Sequence, residues 1–244
     1  MKNIILFLLV ISSLTSCAQQ KSSSGGDILK KAGSIFGKKN GGGLSNEDVV
    51  AGLKEALSVG ARNSADKLSS VDGFFANAAI RVLMPEEAKK VESTLRNVGL
   101  GNMVDKAILS MNRAAEEASK SAAPIFVDAI TSMSIQDAFG ILKGSDSAAT
   151  VYLKGRTTAS LTSAFQPVID KALENTNATK YWKDVFDTYN KLPTTFNKVN
   201  TDLSGYVTDK ALTGLFFQVA LEEQKIRKDP AARVTDILKK VFGN

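Results

Sequence analysis

Apolar residues recur at helical spacing along nearly the whole chain after residue 43. Val49, Val50, Leu53, Ala56, Leu57 and Gly60 share one face, which predicts a helix from about 46 to the high sixties. Its start pairs Ser45 with Asp48, a capping box with a shorter acid in place of glutamate, and spaces Leu44 and Val49 as a hydrophobic staple. Asp72-Gly73 breaks the pattern. Ile80, Val82 and Met84 then alternate over 78–84 with no helix cap before them, which predicts a short extended segment. Pro85 opens the next helix, with Glu86 and Glu87 in its first turn, Ala88, Val91, Leu95 and Val98 inward, and Gly99 and Gly101 as its stop.

The same logic gives a helix over 102–119 with Met103, Ala107, Met111, Ala114 and Ala118 inward. It also gives 123–132 after Pro124, 134–143 capped by Ser134 and ended by Gly144, and 146 to about 174, capped by Asp146 with a kink expected at Pro167. The last helices are 178–191 (Tyr181, Val185, Tyr189), about 203–228, and 230–242. Asp229 caps that final helix, Pro230 is its first residue, and Val234, Ile237, Leu238 and Val241 face inward. No alternation is long enough for a sheet. The expectation is an all-α fold: a single domain over 44–244 of about eight to nine helices, with one extended segment near 78–84. About 200 residues suffice for one substantial core.

The first 43 residues follow a different pattern. Met1-Lys2-Asn3 precedes an unbroken apolar run, Ile4 to Ile11, and then Ser12-Ser13-Leu14-Thr15-Ser16-Cys17. Eight helical residues rise about 12 Å against a hydrocarbon core of about 30 Å, so the run reads as a signal-peptide core and not a membrane span. Leu14-Thr15-Ser16-Cys17 resembles the bacterial lipobox. That resemblance implies removal of residues 1–16, thioether lipidation of the Cys17 sulfur and acylation of its freed amine. Three acyl chains would hold the protein firmly where one gives only reversible attachment. A plain secretory peptide with a chance cysteine is the alternative. Ala18-Gln19-Gln20-Lys21 has no aspartate directly after the cysteine, which resembles lipoproteins sent to an outer membrane and facing the periplasm.

Residues 17–43 read as a lipidated tether, since 18–43 hold seven glycines, among them Gly25-Gly26 and Gly41-Gly42-Gly43. Ile28, Leu29, Ala32, Ile35 and Phe36 at helical spacing among lysines allow a basic amphipathic turn on anionic headgroups. Gly33 and Gly37 favour a plainer reading, a short helix packed back on the domain or an unstructured stretch.

Charge and composition then narrow the function. The formal net charge is +6, but Lys2 carries +1 and residues 18–43 carry +4, leaving +1 for 44–244. A phosphate-binding domain would need a basic patch of its own, so no nucleic-acid partner is expected. The chain has no histidine and one cysteine. Ser-His-Asp and Cys-His nucleophile activation, imidazole metal sites and thiolate clusters are therefore out of reach, and neither cofactor nor metal is expected. Carboxylates remain. Glu86-Glu87, Glu116-Glu117 and Glu222-Glu223 are neighbours about 100° apart around a helix, the pattern of a solvated face more than of a catalytic dyad. Arg113, Arg227, Asp229 and Arg233 are the better candidates for a polar or anion-binding cluster, although Glu223/Arg227 and Asp229/Arg233 also suit ordinary i,i+4 pairs. Gly99-Leu100-Gly101 lacks the strand, third glycine and acidic partner of a dinucleotide loop.

One family resemblance spans Leu44 to Phe242. The opening Leu44-Ser45-Asn46-Glu47-Asp48-Val49-Val50-Ala51-Gly52-Leu53, the stretch Asn112-Arg113-Ala114-Ala115-Glu116, Phe126-Val127-Asp128-Ala129-Ile130 and Ala148-Ala149-Thr150 all carry it. Lys210-Ala211-Leu212-Thr213-Gly214-Leu215-Phe216 and Ile226-Arg227-Lys228-Asp229-Pro230 complete it. Together they resemble a bacterial envelope family known as domain of unknown function 4197. Its pattern has a second proline near the place of Leu83. The resemblance implies an exported, mainly helical setting and no activity. The expected role is a non-enzymatic module binding an envelope protein or cell-wall component; the alternatives are a carrier of an apolar ligand between helices and a histidine-free hydrolase using two carboxylates.

Overall fold

A computed structural model of the chain describes residues 45–175, 178, 179, 182, 186, 202–229 and 239. All belong to one compact unit, Leu44–Asn244. The described residues are all-helical, with no strand: α1 (Asn46–Ser69), a 3-10 turn (Glu86–Ala88) leading into α2 (Lys89–Asn97), α3 (Gly101–Ser119), α4 (Ala122–Thr131), α5 (Ile135–Leu142), α6 (Ala148–Glu174) and α7 (Leu203–Lys228). Cys17, Arg233 and the expected helix over 230–242, apart from the helical Lys239, lie outside the described residues. Of 178–191, only Ala178, Thr179, Trp182 and Phe186 are described, each helical. No single described helix is long and apolar enough to cross a membrane.

Local chemistry fixes several boundaries. Asp48 N–H donates to Ser45 Oγ and Ser45 N–H to Asp48 Oδ2, both at 3.1 Å, and Ser134 with Asp137 repeats this box at α5. At the end of α2, Gly99 adopts φ +84°; its N–H reaches Arg96 O at 3.1 Å, while Leu100 N–H reaches Leu95 O at 2.8 Å. These two bonds form a complete Schellman motif, which turns the chain back into α3.

The core is built by α1, α3, α6 and α7, with α3 and α7 packed on each other and on both α1 and α6. Helices α4 and α5 close over α1 and α6, and the Phe126 ring on α4 meets Phe216 on α7 edge-on at 5.9 Å. On α6 the buried positions are Ala149, Leu153, Thr157, Leu161, Phe165, Ile169 and Leu173, every fourth residue. Such a stripe drifts about 40° per step around a 3.6-residue helix, so α6 turns successive sides to successive neighbours. Pro167 lies within α6 without ending it. Its exposed position leaves the freed Ser163 carbonyl at the surface, where water can serve it.

Three local expectations need correction. Residues 78–80 form a turn and 81–85 have no regular structure, although Ile80, Val82 and Met84 are buried and Arg81 and Leu83 exposed. No strand pairs with this segment, because one side chain stands in for the neighbour: buried Asn112 accepts from Val82 N–H at 2.9 Å and donates to Val82 O at 2.8 Å. The start of α6 is not capped by Asp146. The helix opens two residues later, Asp146 pairs with Lys228 at 2.8 Å, and the orphan N–H groups go to a carboxylate on α7. Finally, Val98 and Met103 do not face inward; they are 64% and 49% exposed.

Candidate functional site

The first polar centre forms around Glu116, on α3. Asp72 takes φ +66° in the turn after α1, and the next residue is Gly73, whose position leaves no room for a Cβ beside the Lys67 and Leu68 carbonyls. This tight turn aims the Phe74 and Phe75 N–H groups at Glu116 Oε1, at 3.1 and 3.2 Å. Arg113, one turn earlier on α3, donates to Glu116 Oε2 at 2.6 Å and to Asp72 Oδ1 at 2.7 Å. The hydrogen bonds to Glu116 and then Asp72 raise the Arg113 pKa, outweighing its partial desolvation.

A second centre forms around Glu223 on α7. Its carboxylate accepts from Ala149 N–H, Thr150 N–H and Thr150 Oγ1 at 2.8–2.9 Å, and from Arg227 Nε and Nη2 at 3.0 and 2.9 Å. Arg227 also donates to Ile141 O at 2.8 Å, which ties α5 to α7. Glu223 thus caps α6 from another helix, at the end where the helix dipole favours an anion.

Arg113 and Arg227 are therefore each bound to a different buried acid, and Arg113 does not join Asp229. Asp229 is exposed at the end of α7, its N–H on Lys225 O at 2.8 Å. The solvated-face reading holds for Glu86 and Glu87 but not for Glu116 and Glu223, which are only 4% and 5% exposed. One of two adjacent helical residues can face inward, and here donors await it. Among the described residues these are the two buried carboxylates, and both serve backbone groups and arginines.

The concave feature lies elsewhere. Beside α2 and α3 an open groove of about 690 Å³ runs toward the end of α6. Val91 and Leu95 of α2 line one side, Ala107 and Ala114 of α3 the floor with the half-exposed Met103 at its edge, and Met84, Ala172, Trp182 and Phe186 the far side. Its apolar character follows from α2, a helix packed on α3 with none of its residues fully buried. Among the described residues, Lys106, Arg113 and Glu117 are the charged ones that line it. Arg113 is held by its two acids, and Glu117 pairs with Lys120 at 2.6 Å. The groove lies within the range of ligand-binding pockets. Sequence reasoning did not single it out; the available signal was the excess of apolar residues on α3, wider than one core-facing stripe.

The family described as protein of unknown function (DUF4197) matches residues 43–243, and the chain belongs to it. No curated protein and no solved structure matches the chain.

Proposed function

We propose that this DUF4197 protein is an exported, lipid-anchored component of the bacterial envelope whose helical domain binds an apolar ligand, with no chemistry of its own. The groove of about 690 Å³ carries this reading, because its lining is apolar and, among the described residues, brings no pair of acids together. It favours the ligand-carrier role over a general partner-binding module, since roughly 300 Å³ already suffices for a small-molecule site. A carboxylate hydrolase loses its best candidates, because Glu116 and Glu223 already accept bonds from backbone N–H groups and arginines. Export and anchoring rest on the order of Lys2, the apolar run Ile4 to Ile11 and Leu14-Thr15-Ser16-Cys17. The absence of aspartate at position 18 supports the periplasmic face of the outer membrane as the destination.

Two measurements test this. Cys17→Ser is expected to abolish lipid labelling and to leave the precursor uncleaved; normal labelling of that variant refutes the anchor. Full-length protein in phosphatidylcholine vesicles, illuminated with a photoreactive long-chain alcohol, is expected to be labelled on Leu95, Met103 or Trp182. Labelling spread evenly over the surface refutes the groove as a ligand site.

A further inference from the structure

We infer that the groove takes a long-chain fatty acid, its alkyl chain along α3 and its carboxylate on the Lys106 ammonium; this rests on the apolar-ligand reading above. Lys106 lines the groove, is exposed, and enters no ion pair among the described residues. The other charges at the described lining are neutralised within the protein: Arg113 lies between Asp72 and Glu116, and Glu117 binds Lys120. An unopposed Lys106 beside an apolar trough matches a ligand with one negative charge and one apolar tail. Among the described lining residues a dianionic head would find no second unpaired cation, because Arg113 is already shared between two acids.

The mouth of the groove supports a ligand drawn from a membrane. Met103 and Leu109 both line the groove and remain 49% and 37% exposed. The Schellman turn adds Val98 and Leu100, exposed by 64% and 42%, next to Leu95 of the groove wall. Val98, Leu100 and Met103 at the elbow, continued by Leu109 along α3, form the apolar surface expected where a chain passes between a bilayer and a protein interior.

The test compares photoreactive palmitic acid with the matching photoreactive alcohol on full-length protein in phosphatidylcholine vesicles at low salt. The ratio of acid to alcohol labelling in the groove is read for the wild type and for Lys106→Gln, so that differences in partitioning cancel. An exposed ion pair predicts a ratio about two- to fivefold higher in the wild type, collapsing in high salt. Each methylene removed from competing fatty acids is expected to weaken competition about fourfold. Ala107→Trp, which fills the floor, is expected to suppress labelling by both probes. Equal ratios in wild type and Lys106→Gln overturn the fatty-acid assignment while leaving an apolar groove. Absence of groove labelling by either probe instead overturns the apolar-ligand reading, as would be the case for a groove that holds a helix of another protein.

Discussion

Replacing Glu223 by alanine is the sharpest test of how this fold is held together. The change deletes the acceptor for Ala149 N–H, Thr150 N–H and the Thr150 hydroxyl, and removes the buried carboxylate that Arg227 Nε and Nη2 bond. Loss of a helix cap costs about 1 kcal/mol. Breaking a buried ion pair from one side costs about 3–5 kcal/mol, and the 12% side-chain exposure of Arg227 puts this pair in that class. Because one carboxylate supplies both effects they overlap, and a total of about 4 kcal/mol is expected. A domain is stable by about 5–15 kcal/mol, so the urea midpoint of the full chain, followed by far-ultraviolet circular dichroism, should fall steeply. Glu223→Leu combined with Arg227→Met should recover much of the loss, since an apolar pair of similar volume needs no charge compensation. A Glu223→Ala cost below about 1 kcal/mol, or strictly additive effects in the double variant, refutes the assignment.

Asn112→Ala strands the buried N–H and C=O of Val82; about 2–5 kcal/mol of destabilisation is expected, with faster hydrogen exchange over 80–84 as the local readout. Gly73→Ala places a Cβ 2.5 Å from the Lys67 carbonyl oxygen and 2.6 Å from that of Leu68, so a loss of about 1–3 kcal/mol in thermal unfolding is expected, and a neutral result would mean that the turn relaxes freely. Burial, with Glu87 and Glu86 adding to it, pushes the Tyr206 phenol up to about 12. Its folded pKa lies above the unfolded value of about 10, so its contribution is complete below pH 10 and is lost as pH rises through 12. The Tyr206 hydroxyl donates to Leu83 O at 2.9 Å, and ultraviolet titration should show a late-ionising tyrosine that is lost in Tyr206→Phe.

What the sequence by itself determined is whatever closes within a few residues. Ser45 with Asp48, and Ser134 at the start of α5, need no partner beyond one helical turn, and both stand where their spacing put them. The stop at Gly99 is equally local, because its left-handed backbone and the two returning N–H bonds involve only Leu95 to Leu100. The all-helical class and most helix bounds follow from the same short-range periodicity. Asn112, Arg113 and Glu116 stood in the segment that carries the family resemblance, but their bonds to Val82, Asp72 and Phe74 run to residues 30 to 42 positions away.

Only the tertiary structure decided which polar residues go inside. Glu86-Glu87, Glu116-Glu117 and Glu222-Glu223 look alike in sequence, yet Glu116 and Glu223 are buried because packing brings backbone N–H groups from 42 and 74 residues away to meet them. The start of α6 shows the same competition: a carboxylate delivered by α7 displaced the adjacent Asp146 as the cap, and Asp146 went to Lys228. The groove follows from a related cause. Periodicity marks Val91, Leu95, Met103 and Ala107 as apolar positions. Whether such a face becomes core or remains an open trough depends on whether a neighbouring helix covers it, and α2, packed on α3 with no residue fully buried, leaves this one open.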